Sequence, residues 1–151
     1  MTLKEAALKY LSKGWSVFPV NPTDKKPIVD WKQYQDRLPT VEEINEWWIK
    51  WPWANLGLVT GKISGVSVVD VDPRHGGTTD NLPDTVQSET GGGGSHHFFQ
   101  YNLGAHSQNG LNQGVDLKSD GGYVILPPSE HKSGNRYKWI TPPFINEFKQ
   151  F

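Results

Sequence analysis

One stretch organises the rest of the chain: Val66-Ser67-Val68-Val69-Asp70-Val71-Asp72-Pro73. Its β-branched residues and the closing proline predict a strand that ends at Asp72. Because side chains alternate between the faces of a strand, Asp70 and Asp72 share one face, with roughly 6.5–7 Å between their backbone positions. Two carboxylates so close repel each other in a partly buried site, and a divalent cation between them would remove the repulsion. The alternative is an ordinary strand end, in which Asp70 is solvated and Asp72 caps the next turn.

The composition indicates one globular domain without disulfides. The 151 residues suffice for a core, and 35% hydrophobic residues argue against disorder. The absence of cysteine excludes a disulfide framework, a thiolate zinc site and a cysteine nucleophile, and it fits a reducing, cytoplasmic setting. No run approaches the ~20 apolar residues of a membrane span. The formal net charge is −1, so we expect this chain to bind DNA or RNA only weakly, since phosphate contacts supply most of such affinity.

Periodicity and turn residues predict two helices followed by a sheet. Capping boxes at Thr2–Glu5 and Thr40–Glu43 open the helices. Strands are predicted at 15–20, 55–60, 66–72, 85–90, 96–101, 115–118, 123–126 and 136–140, with a polar loop at 105–114. Since neither a repeat nor a linker divides the chain, residues 1–151 are predicted to form a single α+β domain. Its mostly antiparallel sheet carries the acidic residues on one face.

Two further features add polar chemistry to this sheet. Asp116 lies on a predicted strand with Lys118 on the same face, and three carboxylates from neighbouring strands would suit Mg²⁺ or Mn²⁺. Taken alone, Asp116 fits an exposed residue on a half-buried strand slightly better than a metal ligand. Gly91–Gly94 precedes Ser95-His96-His97 and is either a flexible linker or a turn whose bare amides approach a phosphate chain. Adjacent strand residues face opposite ways, so only one histidine can share a site with the glycines.

A series of short motifs covers nearly the whole chain in a fixed order. They are Gly14-Trp15…Phe18-Pro19, Lys26-Pro27…Trp31, Trp47-Trp48…Trp51-Pro52, Asn55-Leu56-Gly57-Leu58 with Thr60-Gly61, Val69-Asp70-Val71-Asp72-Pro73 with Gly76-Gly77, Thr90-Gly91…Gly93-Gly94-Ser95-His96, and Val115-Asp116 with Asp120-Gly121-Gly122-Tyr123-Val124…Pro127-Pro128-Ser129. In this order they resemble the bifunctional DNA primase/polymerase N-terminal domain (prim-pol) of the archaeo-eukaryotic primase superfamily. The resemblance implies a sheet-based catalytic core related to the RNA-recognition fold, with a smaller N-terminal part of helices and strands.

The resemblance also implies roles for single residues. Asp70, Asp72 and Asp116 match the family's acidic residues, which are catalytic and hold two divalent ions, Mg²⁺ or Mn²⁺. His96 matches the histidine that contacts the phosphates of the incoming nucleotide. The other implied nucleotide-binding residues are Lys118, Gly93, Gly94 and Ser95. His97 stands where the family usually has a hydrophobic residue, and Lys26 and His131 receive no role.

The implied activity is that of a DNA primase and DNA polymerase, a nucleotidyltransferase. It would add NTPs or dNTPs to a 3′-hydroxyl or an initiating nucleotide on a single-stranded DNA template. The implied partners are template, primer and a fused or associated helicase and helical template-binding domain, within a larger phage, plasmid or mobile-element replication protein. We expect the isolated domain to be a monomer that does not bind membranes.

Two other classes of protein stay open. A metal-dependent nuclease would use the same acidic residues on a phosphodiester. A non-catalytic module that binds nucleotide or nucleic acid would leave the acidic residues solvated and use tryptophans as its binding face. A replication initiator is excluded, because its paired metal-binding histidines follow a His-hydrophobic-His pattern and His96 and His97 are adjacent.

Overall fold

Two α-helices and two antiparallel sheets make up the described part of the protein. The structure is a computed structural model, and it describes residues 1–102 and 107–150. The helices are α1 (Leu3–Ser12) and α2 (Val41–Lys50). The strands are β1 (Val17–Val20), β2 (Asn55–Val59), β3 (Val66–Val71), β4 (Val86–Glu89), β5 (Ser95–Gln100), β6 (Gln108–Asn112), β7 (Val115–Lys118), β8 (Tyr123–Leu126) and β9 (Lys138–Thr141). Short 3-10 helices span Lys32–Gln35 and Pro73–His75. The predicted α+β class is confirmed.

The strands divide into a small sheet and a large one. The small sheet has the order β1-β2-β8, and the large sheet has the order β6-β7-β3-β5-β4-β9. All of these pairings are antiparallel. The acidic strand β3 therefore lies inside the large sheet, between β7 and β5. The sequence pattern predicted one sheet, because periodicity identifies strands but not their partners.

Local sequence signals locate the helix ends well. Thr2 and Thr40 both form capping boxes with the glutamate three residues later, and Gly14 adopts φ 93° just after α1. The predicted polar loop at 105–114 is wrong for residues 108–112, which form the edge strand β6. Pairing with β7 outweighs the low strand propensity of this segment. Residues 105 and 106 of that loop lie outside the described residues.

Apolar side chains cover both faces of β3. Val66 and Val68 join the main core, which the helices, the small sheet and one face of the large sheet enclose. Val69 and Val71 join a second cluster on the opposite face. Asp70 follows Val66 and Val68 on the main-core face, at the point where apolar packing gives way to a cavity. Neither described helix has the length and apolar character required to span a bilayer.

Glu43 joins α2 to the segment before it. Its carboxylate accepts the Thr40 N–H at 2.9 Å, pairs with Arg37 at 2.8 Å and accepts the Tyr34 hydroxyl. The Arg37 hydrogen bond, followed by those from Tyr34 and Thr40, lowers the pKa of Glu43 to about 2 against the opposing effect of burial. A carboxylate with a depressed pKa stabilises the fold above its unfolded pKa, and this contribution disappears as the pH falls towards 2.

Glu43→Gln should therefore lower the free energy of unfolding by about 1 kcal/mol at pH 7, because the cap weakens and a half-exposed ion pair is lost. Urea denaturation of both proteins between pH 7 and pH 3 measures the difference, which should shrink on acidification. A difference that stays constant over this range would contradict the assignment.

Candidate active site

Three polar side chains form a row across the middle of the large sheet. Asp70 on β3 lies directly opposite His96 on β5 and Asp116 on β7. Directly paired residues of antiparallel strands project from the same face, so all three side chains share the face that carries Asp70. The Nε2 atom of His96 lies 3.5 Å from Oδ1 of Asp70. The sequence predicted each residue, and the pairing of the strands brings them together.

This row borders two neighbouring cavities. The first, here called the acidic cavity, has a volume of about 320 Å³. Its lining consists of Lys25, Asp70, Val71, Asp72, Arg74, His75, Thr90, Gly92, Gly94, His96, Gly114, Asp116, His131 and Tyr137. The second has a volume of about 450 Å³ and adds Lys118 and the 121–125 segment to Lys25, Asp70, His96 and Tyr137. Together they provide space for an elongated polar molecule against the row.

Asp70 is held in its ionised form. Burial alone would raise the pKa of its carboxyl, but His96, Lys118 and Lys25 outweigh burial and bring this pKa below its usual value. His96 is 5% exposed, and its Nδ1 atom is buried with no hydrogen-bond partner in the described part of the chain. The Nε2 atom of the imidazole thus faces the Asp70 carboxylate, while the Nδ1 atom makes no hydrogen bond within the described residues.

Asp72 caps a turn and also lines the acidic cavity, two positions that the sequence analysis treated as alternatives. The strand ends one residue before it, and its side chain caps the Pro73–His75 helix by accepting the Arg74 N–H at 3.0 Å. Its other oxygen lies 2.7 Å from Nδ1 of His75. The His75 hydrogen bond, with Arg74, brings the pKa of Asp72 below its usual value although burial opposes this. Asp72 nevertheless lines the acidic cavity beside Asp70.

The predicted repulsion between the two aspartates is offset in the protein itself, because basic side chains accompany both of them. Asp116, the third acidic residue, accepts the Gly110 N–H at 2.6 Å through Oδ1. Within residues 1–102 and 107–150, no three His, Asp or Glu side chains are gathered closely enough to hold a metal ion. The donor chemistry still fits a hard divalent cation, since three carboxylates line one cavity. All three also have an oxygen near a neighbouring polar group: Asp70 faces His96, Asp72 contacts Arg74 and His75, and Asp116 accepts the Gly110 N–H.

The glycine run is explained first by packing. A Cβ atom at Gly91 would lie 2.2 Å from Cβ of His131, and one at Gly92 would lie 2.9 Å from Nε2 of the same histidine. A Cβ atom at Gly94 would lie 2.7 Å from the Val71 carbonyl oxygen, whereas Gly93 has open space and φ 92°. Gly91–Gly94 is therefore a turn and not a linker, and the contact of its amides with a phosphate chain stays a prediction. It fits tightly against the segment that carries His131.

Some predicted nucleotide-binding residues lie away from the row. Ser95 faces the opposite side of the sheet, where its Oγ atom lies 2.8 Å from Nε2 of His97. Neither Ser95 nor Gly93 lines the two cavities, while Gly94 lines the acidic cavity and Lys118 lines the second cavity. His97 is 4% exposed, and burial, with the charge of His96, lowers its pKa despite Asp70. Strand alternation predicts this separation of the two histidines.

Several lining residues were not predicted, and four of them carry polar chemistry next to the row: Lys25, Arg74, Tyr137 and His131. Lys25 is a cation from the loop after β1, Arg74 is a cation in the short Pro73–His75 helix, and Tyr137 and His131 follow β8. The Tyr137 ring lies 6.3 Å from that of His96 and 5.9 Å from that of His131, so it separates the two histidines. Burial, helped by the charge of Asp70, raises the pKa of Tyr137 to about 12, which keeps the phenol neutral. In the sequence, the motif that contains Lys26 and the motif that ends at Ser129, two residues before His131, pointed to two of these segments.

An antiparallel sheet whose central strand presents aspartates, beside a histidine and lysines in an open cavity, suits a phosphate-containing substrate with divalent ions. Comparison with known protein families points to the same class of substrate. The family described as bifunctional DNA primase/polymerase, N-terminal, matches residues 7–150, and the chain belongs to this family. A search of curated proteins found no match. Membership implies DNA primase or polymerase activity in general, with divalent metals as cofactors and DNA and nucleotides as substrates.

Proposed function

We propose that the row of Asp70, His96 and Asp116 is a nucleotidyl-transfer site. It adds an NTP or dNTP to a 3′-hydroxyl, or to an initiating nucleotide, on a single-stranded DNA template. The observation that carries this proposal is the direct pairing of Asp70 with both His96 and Asp116 across three adjacent strands. That pairing places carboxylates beside a largely buried imidazole at an open cavity, as metal-assisted phosphoryl chemistry requires.

Asp70, Asp72 and Asp116 would hold two divalent ions, Mg²⁺ or Mn²⁺. When bound, such ions stabilise the attacking 3′-oxygen and the leaving pyrophosphate. On binding an ion, Asp72 would give up its contacts with Arg74 and His75, and both side chains would then be available to the negative substrate. The resting protein thus keeps its acidic site neutralised, which stabilises the fold without metal.

His96, Lys118 and Lys25 would bind the triphosphate. Lys25 lines both cavities and Lys118 lines the second, so the two ammonium groups accompany Asp70 on the same face of the sheet. Opposite charges along one cavity hold a metal–triphosphate complex at both its positive and its negative groups. Of the predicted residues at the glycine turn, Gly94 lines the acidic cavity and would offer backbone contacts, whereas Gly93 and Ser95 line neither cavity.

The test is a primer-extension assay and a de novo synthesis assay with the wild-type protein, single-stranded template and either Mg²⁺ or Mn²⁺. We expect template-directed products that require the metal. Degradation of the primer without extension would replace the proposal with a nuclease. Nucleotide binding without either reaction would replace it with a binding module.

Template affinity should be low in this domain. With a formal net charge of −1, few phosphates can be neutralised, so single-stranded DNA should bind weakly and less well as salt rises. Fluorescence anisotropy with a labelled oligonucleotide, without nucleotide or metal, measures the affinity. Submicromolar binding at physiological salt would contradict the view that a further template-binding domain or a helicase supplies most of the affinity for the template.

A further inference from the structure

His131 is a largely buried histidine whose proton position is determined by its surroundings. It is 7% exposed and lies in the loop between β8 and β9. The backbone N–H of Ser133 donates to Nδ1 at 3.0 Å. Because Nδ1 acts as an acceptor, the neutral ring carries its proton on Nε2. The Nε2–H group is therefore an oriented donor.

This donor lies on the wall of the acidic cavity. Nε2 is the atom that would meet a Cβ at Gly92, at 2.9 Å, and both residues line the cavity. In the part of the chain that the structure describes, no atom accepts a hydrogen bond from Nε2. Because it faces an open cavity, this donor is accessible to an acceptor from outside the chain.

The surroundings of Nε2 favour an anion as that acceptor. The Arg74 Nη2 atom lies 3.8 Å from the Cβ position at Gly92, so the guanidinium also flanks this glycine. Burial lowers the pKa of His131, and the charges of Lys25, Lys132 and Arg74 lower it further. The ring stays neutral at pH 7, with its proton on Nε2, while the neighbouring cations supply the positive potential.

The cavity thus has two chemically distinct walls. Asp70, Asp72 and Asp116 line it from β3 and β7, and His131, with Arg74 and Gly92, lines it from the side of the glycine turn. A metal–triphosphate complex is positive where its ions lie and negative along its outer phosphate oxygens. The acidic wall suits the ions, and the wall with His131 suits the phosphates.

We propose that His131 is a further phosphate-binding residue, which donates its Nε2–H to an oxygen of the bound triphosphate beside Arg74 and Gly92. This assignment rests on the proposed function of the same site. It adds a second histidine, from a loop distant in sequence, to the contact that His96 would make. The close packing of Gly91 and Gly92 against His131 then has a functional role, because it orients the Nε2–H donor.

The experiment compares three variants by isothermal titration with dATP, dAMP and inorganic tripolyphosphate in the presence of Mg²⁺. His131→Ala removes the donor and should weaken dATP and tripolyphosphate binding about tenfold or more, with little change for dAMP. His131→Gln keeps an N–H donor near the Nε2 position and should recover most of the affinity. Lys138→Ala, which removes the charge of an exposed lysine on β9 outside both cavities, is the control and should stay within about twofold of wild type.

A purely structural role for His131 predicts a different pattern. If His131→Ala only disturbs the loop, the affinities for dATP and dAMP should fall equally. His131→Gln should then fail to restore the preference for dATP. Either result would overturn the proposal. If His131→Ala does not fold, the comparison of His131→Gln with Gly92→Ala replaces it, because the added methyl group covers Nε2. Unchanged tripolyphosphate affinity in Gly92→Ala would then contradict the assignment. Failure of the proposed function is distinct, because it would appear as a wild-type protein that binds dATP but extends no primer.

Discussion

Asp70→Asn should abolish template-directed nucleotide addition while the protein remains folded. Asp70 lies at the centre of the row, opposite both His96 and Asp116, and it borders both cavities. The amide keeps the size of the side chain but removes the charge that would hold a divalent ion. Loss of a metal-binding carboxylate removes most of the electrostatic stabilisation of the transition state, so we expect a fall of about a thousandfold or more.

The same substitution should cost a little stability at neutral pH. His96, Lys118 and Lys25 lower the pKa of Asp70 in the folded protein, so its charge stabilises the fold above the unfolded pKa and stops doing so on acidification. Single-turnover extension and urea denaturation measure the two effects. Asp84→Asn is the matched control, because it makes the same chemical change at an exposed aspartate outside the cavities. Unaltered extension by Asp70→Asn would remove β3 from the active site.

The two adjacent histidines should differ sharply on substitution. His96→Ala removes the imidazole beside Asp70 and should reduce nucleotide affinity and extension by about ten- to a thousandfold, the effect of losing a charge-assisted contact of ~1.5–4 kcal/mol. His97→Ala removes a buried ring on the opposite face, where it bonds only to Ser95 among the described residues. It should lower stability by about 1–2 kcal/mol and leave the rate of extension near that of wild type.

Dissociation constants for dATP and extension rates of both variants, with folding checked by circular dichroism, make this comparison. The adjacent substitution serves as the control, because both histidines are buried and belong to the same strand. The reverse result, a damaging His97→Ala and a mild His96→Ala, would mean that the wrong face of β5 had been assigned to the nucleotide.

Period-two alternation predicted which residues of each strand share a face, and this was enough to separate His96 from His97. It also placed Asp70 among apolar neighbours on a buried strand. The pairing of β3 with β5 and β7 is a tertiary property, and short strands with similar composition do not specify it. The motif order that resembles the prim-pol family supplied this step, because it grouped Asp70, His96 and Asp116 before any pairing was known.

Residues from loops were the part of the site that local patterns could not supply. Lys25 and His131 lie far from β3 in sequence, and they border Asp70 only after the small sheet has packed on the large one. The glycine run shows the same limit. Its composition suggested a phosphate-binding turn, but Gly91 and Gly92 lack side chains because His131 occupies that space. This steric requirement comes from His131, about forty positions after Gly91, so a short sequence motif around the glycines cannot reveal it.

The central claim is that the acidic cavity binds a metal–nucleotide complex. A crystal structure of the protein with Mn²⁺ and a non-hydrolysable dNTP analogue tests it most directly, because the anomalous scattering of manganese identifies the ion. We predict manganese at the carboxylate of Asp70, with the triphosphate beside His96. Manganese and nucleotide bound together elsewhere on the protein, with the Asp70–His96 contact left as it is, would contradict the account.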